Sequence, residues 1–284
     1  MKKDIIIIGA GPGGLTAGML LAHRDYNVTL LEKEDRVGGR SARINLGPYS
    51  FDTGPTFLHQ KFTLDEIFAE VGRKSDDYLD FVKLDPMTRL TWGDVSLETS
   101  CDRKKMAANI RSVFPEEEEN FLRFMNDHAI KLRTIFPCLQ KPYQKLSSYL
   151  DPTLFKALPH VATTKSVMDV LGNYFTDDRL KLAFTFQAKY LGMSPWKCPG
   201  LFSILSYIEY EHGIYHTQGG LSKISESMAR VVEEEGGEIR FNSEVKEIKY
   251  VGKTAAEVEL TDGQVLSCDQ LVVNADYAYA RSSI

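Results

Sequence analysis

The sequence predicts an α/β fold: a Rossmann-like nucleotide-binding domain interrupted by an inserted, mostly helical α+β domain. Two observations predict it. Residues 1–62 read as strand, glycine turn, helix, strand and acidic residue, the order of a dinucleotide-binding unit. After a long helical stretch, residues 219–284 return to one helix followed by a series of strands.

The first element lies inside "IIIIGAGPGGLTAGMLLA", Ile5–Ala22, an uncharged run long enough for a spanning helix. The preceding Lys2-Lys3 also gives it the look of a signal peptide. Gly9, Gly11, Gly13 and Gly14 around Pro12 break that run, and a glycine-broken run spans a bilayer poorly. What remains is a β-branched strand Ile5–Ile8, a helix from near Gly14, a polar turn His23–Asn27, and a strand Val28–Leu31 that ends at Glu32. Gly9, Gly11 and Gly14 form G-x-G-x-x-G directly after a strand. The first glycine permits the turn, the second lets a pyrophosphate approach, and the third lets the helix pack on the sheet. The helix start offers free N–H groups to phosphate. Glu32 can accept bonds from a ribose diol and would repel a 2′-phosphate, which argues against NADP.

Beyond Glu32, "EKEDRVGGRSARI" sets Gly38-Gly39-Arg40 where backbone can lie against a ligand and an arginine can pair with phosphate or carboxylate. "FDTGPTFL" again mixes glycine and proline among apolar residues.

The second block opens with a strand-like "MTRLTWGDVSLET". "FPEEEEN" then marks a helix start, with Pro115 and four glutamates in a solvated first turn. "TDDRLKLAFTFQAKYLGM" predicts a helix over Leu180–Met193 that is apolar on nearly all sides, either buried or lining an apolar cavity. Phe184, Phe186, Tyr190, Trp196, Phe202 and Tyr207 can wall a channel or fill a core, and the sequence does not choose. In the third block, Leu221, Ile224, Met228, Val231 and Val232 form one face of a helix that stops at Gly236-Gly237. "EIRFNSEVKEIKY", "AAEVEL" and "QVLSCDQLVV" read as strands, with a hairpin turn at Asp262-Gly263.

A charge of −5 with no basic patch argues against nucleic acid. Cys101, Cys138, Cys198 and Cys268 show no C-x-x-C pairing, which suits a reduced, cytoplasmic setting. His212 and His216 lack an evident third ligand, so no metal is expected.

In this order and spacing, IGAGPGGL, LEKEDRVGGR and FDTGPT resemble the flavin-dependent carotenoid desaturases, which include phytoene and dehydrosqualene (diapophytoene) desaturases of bacterial type. The likeness runs on through "LAFTFQAKYLGMSPWKCPGLFSILSYIEYEHGIYHTQGG", "GGEIRFNSEVKEI" and "LVVNADYA" and covers essentially the whole chain. The early motifs are shared with other flavoproteins, amine oxidases among them. The resemblance implies FAD as cofactor and a discontinuous FAD-binding domain, 1–62 with 219–284. It implies a substrate-binding domain at 63–218. The cofactor-binding residues it implies are Gly9, Gly11, Pro12, Gly13, Gly14, Glu32, Lys33, Gly39, Arg40, Gly54, Pro55, Val245, Ala275 and Asp276. Val245 would meet adenine through its backbone. The implied activity removes hydrogen from C–C bonds of a lipid-soluble isoprenoid, with peripheral membrane contact left open. No catalytic side chain is identified.

Other readings stay open: a carotenoid isomerase or saturase, an amine oxidase-like flavoenzyme, or a non-enzymatic prenyl-protein-binding module of the Rab GDP-dissociation inhibitor type. Proteins of the resembled family continue for roughly as much chain again past the segment matching Ile284. A fragment, with an incomplete cofactor domain, is therefore expected.

Overall fold

The computed structural model describes residues 2–161, 164–252 and 254–283. The chain runs through β1 (Asp4–Ile8), α1 (Pro12–His23), β2 (Asn27–Leu31), β3 (Arg43–Leu46), β4 (Tyr49–Asp52), β5 (Leu58–His59), α2 (Lys61–Glu70) and β6 (Phe81–Lys83). Next come β7 (Thr88–Trp92), β8 (Val95–Thr99), α3 (Arg103–Val113), α4 (Glu118–Leu139), α5 (Pro152–Ala157), α6 (Val167–Leu171), α7 (Asp178–Ala183) and α8 (Ser203–His212). It ends with β9 (Ile214–Thr217), α9 (Ser222–Glu234), β10 (Glu238–Arg240), β11 (Val245–Val251), β12 (Thr254–Leu260), β13 (Val265–Ser267), β14 (Gln270–Val273) and α10 (Tyr277–Ser283). These elements divide into two compact units, 1–82 with 215–284, and 83–214. The first division falls after Val82 rather than after residue 62, because α2 buries Leu64 and Phe68 in the core of the first unit.

The first unit is built on a parallel sheet in the order β10-β2-β1-β14. Successive strand residues face opposite sides, and β1 is apolar on both. Ile5 and Ile7 join Leu15 and Met19 of α1, Leu64 and Phe68 of α2, and Met228, Val231 and Val232 of α9. Ile6 and Ile8 join Val245, Ile248, Val258 and Leu260 of the antiparallel β11-β12-β13 meander. Burying these four isoleucines contributes on the order of 6–12 kcal/mol before chain entropy is set against it. α9 ends at the expected glycine pair: Gly236 adopts φ +85° and the Gly237 N–H donates to the Val232 carbonyl at 2.9 Å. The uncharged run Ile5–Ala22 is thus a strand and a helix. Among the described residues, no helix is long and apolar enough to cross a membrane.

The second unit centres on α4, whose Phe121 and Phe124 meet Phe175, Phe184 and Tyr210 in an aromatic core. The acidic run before α4 is not wholly solvated. Glu117 is buried, with Oε1 accepting from the N–H groups of Thr176 and Asp177 (2.7 and 2.9 Å) and from the Thr176 hydroxyl. Burial alone would raise its pKa, but these donors and Asn120 together hold it below the usual carboxylate range.

The single helix expected over Leu180–Met193 does not form. α7 stops at Ala183, and a short 3-10 stretch spans Phe186–Leu191. The Thr185 hydroxyl donates to the Leu182 carbonyl (2.8 Å), while Ser206 of α8 donates to the Phe184 carbonyl (2.6 Å). The Leu182 carbonyl takes both the N–H and the hydroxyl of Thr185 in a tightened last turn, and the Phe184 carbonyl is taken by a side chain of another helix. Of the six aromatics in question, Phe184 and Tyr207 are buried and Phe202 is half-buried, whereas Phe186, Tyr190 and Trp196 are exposed.

Candidate dinucleotide site

The site lies wholly within the first unit. Parallel pairing brings the C-terminal ends of β1, β2 and β14 to the same edge of the sheet, where ligands of open α/β sheets bind. A cavity of about 810 Å³ opens there. It is lined by the glycine turn (Gly9, Gly11, Pro12, Gly13), by Glu32 and Lys33 past β2, by Gly39 and Arg40, by Val245, and by Ala275 and Asp276 past β14. Eleven of the fourteen residues expected at the site therefore line one cavity.

The other three are placed differently. Gly14 is buried beneath the turn, where a Cβ would fall 2.0 Å from the Gly9 carbonyl oxygen. Its role is close packing of α1 onto the turn. Gly54 lies against the 39–41 turn, with a Cβ position 2.1 Å from the Arg40 carbonyl oxygen, and supports that turn from outside the cavity. Pro55 is exposed and does not line the cavity.

Local chemistry explains each placement. Gly9 adopts φ +94°, a conformation that costs glycine little, and its N–H still donates to Leu31 at 2.8 Å. α1 begins at Pro12 with no side-chain cap, so its first N–H groups are left for a ligand. The Gly38 N–H donates to Ala10 (2.9 Å), which ties the second glycine turn to the first, and a Cβ on Gly39 would come within 3.5 Å of Gly11 Cα.

Glu32 is buried and does more than face the cavity. Its Oε2 accepts the Ala10 N–H at 2.8 Å and its Oε1 accepts the Glu34 N–H at 3.0 Å. An ionised carboxylate offers about four acceptor positions, so two remain for a ribose diol. At the mouth, Arg40 pairs with Asp276 at 2.9 Å, and Lys33 Nζ lies 5.8 Å from the Tyr279 ring centroid. Asp276 also accepts the N–H groups of Ala278 and Tyr279 at the start of α10.

Sequence reading missed Asn274, which lines the cavity beside Ala275 and donates to the Gly9 carbonyl at 3.3 Å. It stood inside the quoted "LVVNADYA", but nothing local marks an asparagine after a strand as the neighbour of a turn 260 residues earlier. Thr53 and Ser243 also line the cavity unannounced.

Comparison with known proteins agrees with this geometry. The family model described as flavin containing amine oxidoreductase matches residues 12–282. The chain belongs to that family. Within the flavin containing amine oxidoreductases, the chain is 45% identical over 282 residues to a Methylomonas sp protein named 4,4′-diapophytoene desaturase (4,4′-diapolycopene-forming), a match covering 99% of this chain and 55% of that one. The chain thus spans about half the length of the curated relatives it matches. Solved structures share the fold at low identity. A Pyrococcus furiosus protein superposes with a TM-score of 0.65 (17% identity, 99% of this chain, 61% of that one). A Rab GDI from Plasmodium falciparum gives 0.59 (14% identity, 98% and 66%).

Proposed function

We propose that this chain holds the ADP-binding part of an FAD site, and that the protein it belongs to removes hydrogen from C–C bonds of a long isoprenoid of the carotenoid type. The observation that carries the reading is the 45% identity, sustained over 99% of the chain, to a relative named as a diapophytoene desaturase. The cavity supports it, because its residue types suit an ADP moiety. Free N–H groups at the start of α1 take the pyrophosphate, with Arg40 available for its charge once Asp276 lets go. Glu32 takes the ribose diol, and Val245 meets adenine through its backbone. Gly39 keeps the second turn slim enough for backbone to lie beside the ligand. FAD, when bound, supplies the redox chemistry, while the protein binds, orients and shields.

The second unit supplies the apolar surface such a substrate needs. Along 139–158 it exposes Leu139, Leu146, Tyr149, Leu150, Phe155 and Leu158 next to Lys145 and Lys156. Apolar side chains flanked by lysines suit peripheral contact with an anionic membrane, from which a lipid-soluble substrate can be drawn. The four cysteines are free, in keeping with the reducing cytoplasm.

Side-by-side titration with FAD, ADP and NAD tests the cofactor assignment. FAD or ADP binding with a clear preference over NAD supports it, and stoichiometric FAD excludes a flavin-free prenyl-binding role. For the reaction, the chain is joined to the remaining half of the Methylomonas relative and incubated with dehydrosqualene and phytoene. A lengthened polyene, seen as new visible absorption, is the expected product. Geometric isomers alone, or oxidation of an amine instead, would sink the desaturase reading.

A further inference from the structure

The glycine turn has a second occupant. Were Gly13 to carry a Cβ, that atom would lie 2.6 Å from Asn274 Oδ1. The corresponding atom on Gly14 would fall 2.9 Å from Asn274 Nδ2, on Gly9 2.9 Å from the Asn274 carbonyl oxygen, and on Gly11 3.5 Å from Nδ2. One asparagine is therefore the shared neighbour of all four glycines, and its side chain fills the volume that side chains at 13 and 14 would take. It is anchored at both ends. Its N–H donates to the Ile8 carbonyl at 2.9 Å as the continuation of the β1–β14 pairing, and its Nδ2 donates to the Gly9 carbonyl.

We propose that Asn274 is a positioning residue of the dinucleotide site, clasping the Gly9–Gly14 turn to the end of β14 so that the N–H groups opening α1 stay in place for a ligand's phosphates. The proposal rests on the dinucleotide reading above. It accounts for the glycines by a neighbour inside the protein as well as by the approach of a ligand. Asparagine suits the position because its amide donates to Gly9 without bringing a charge beside the phosphates. Aspartate, of equal volume, would lose the donor and add a negative charge there.

Three proteins test this: wild type, Asn274→Ala and Asn274→Asp. Each is titrated with ADP and with adenosine by calorimetry, and amide exchange is followed over residues 9–14 without ligand. In Asn274→Ala, loss of one hydrogen bond and its packing should weaken ADP about tenfold, with adenosine changed about twofold or less. Asn274→Asp should weaken ADP more than Asn274→Ala does, again sparing adenosine. Exchange over 9–14 should quicken in both variants while the thermal midpoint moves little. Equal losses for ADP and adenosine with a lowered midpoint would mean a general structural role and overturn the proposal. So would ADP binding and exchange unchanged in both variants. If wild type binds no ADP, the dinucleotide reading itself fails and the proposal goes with it.

Discussion

Replacing Glu32 separates its two placements, holding the loop and lining the cavity. Its oxygens accept two backbone donors of unequal dependence. Ala10 is fully buried, so its N–H has no alternative partner, whereas Glu34 is exposed and water can take over its N–H. In Glu32→Gln, the amide oxygen can stay on Ala10 while the NH₂ group turns to Glu34. The cost is then about 1 kcal/mol, the net value of one exposed hydrogen bond. In Glu32→Ala, the Ala10 donor is stranded, which costs about 2–3 kcal/mol before the cavity left by the side chain is counted. Native-state amide exchange over residues 8–14 and 33–35 reads this directly and does not require whole-chain two-state unfolding. Protection should fall about fivefold at the Glu34 amide in the glutamine variant, and about thirtyfold or more at Ala10 in the alanine variant. ADP affinity should drop in both. Equal exchange at Ala10 in wild type and Glu32→Ala would refute the reasoning, because the carboxylate would then not be that donor's partner.

Three further outcomes follow from the same structure. Gly14→Ala places a Cβ 2.0 Å from the Gly9 carbonyl oxygen, so α1 must shift off the turn; a loss of about 1–3 kcal/mol in thermal unfolding and loss of ADP binding are expected. Phe184→Ala empties the centre of the aromatic core and should destabilise the second unit by about 3–5 kcal/mol, read by near-UV circular dichroism on heating. His128 is buried beside Lys131, and burial first, then the lysine charge, push its imidazole down to about 3 against the Phe124 carbonyl it bonds. With the folded pKa below the unfolded one, the stability tied to neutral His128 is complete above pH 6.5 and is lost as pH falls from there toward 3. By pH 5 the loss is about 2 kcal/mol, and His128→Gln should flatten that limb of the stability–pH curve.

The glycine turn, both flanking strands and Glu32 were legible because everything that specifies them is local: a β-branched run, a cluster of glycines, an acidic residue at a fixed offset. The face of α9 and its stop at Gly236-Gly237 were legible for the same reason, since a helical stripe and a terminator are written in consecutive residues. The Leu180–Met193 helix was misread because composition favoured it and one of the competing bonds comes from elsewhere. Only folding brings the Ser206 hydroxyl to the Phe184 carbonyl. Phe186, Tyr190 and Trp196 were equally undecidable, because an aromatic side chain reads alike whether it fills a core or faces water.

By itself the sequence determined which groups are on offer: a cluster of glycines after a strand, a carboxylate at the end of the next strand, and a strand apolar on both faces that must lie inside a sheet. Tertiary structure alone decided which of these groups share a cavity. It turned Glu32 from a waiting acceptor into the anchor of Ala10 and Glu34, moved Gly54 from ligand contact to backbone packing, and set Asn274 among the glycines. The physical reason is range. Turn propensity and periodicity act over a few residues, whereas Asn274 reaches Gly9 only because parallel pairing of β1 with β14 closes a separation of 265 residues.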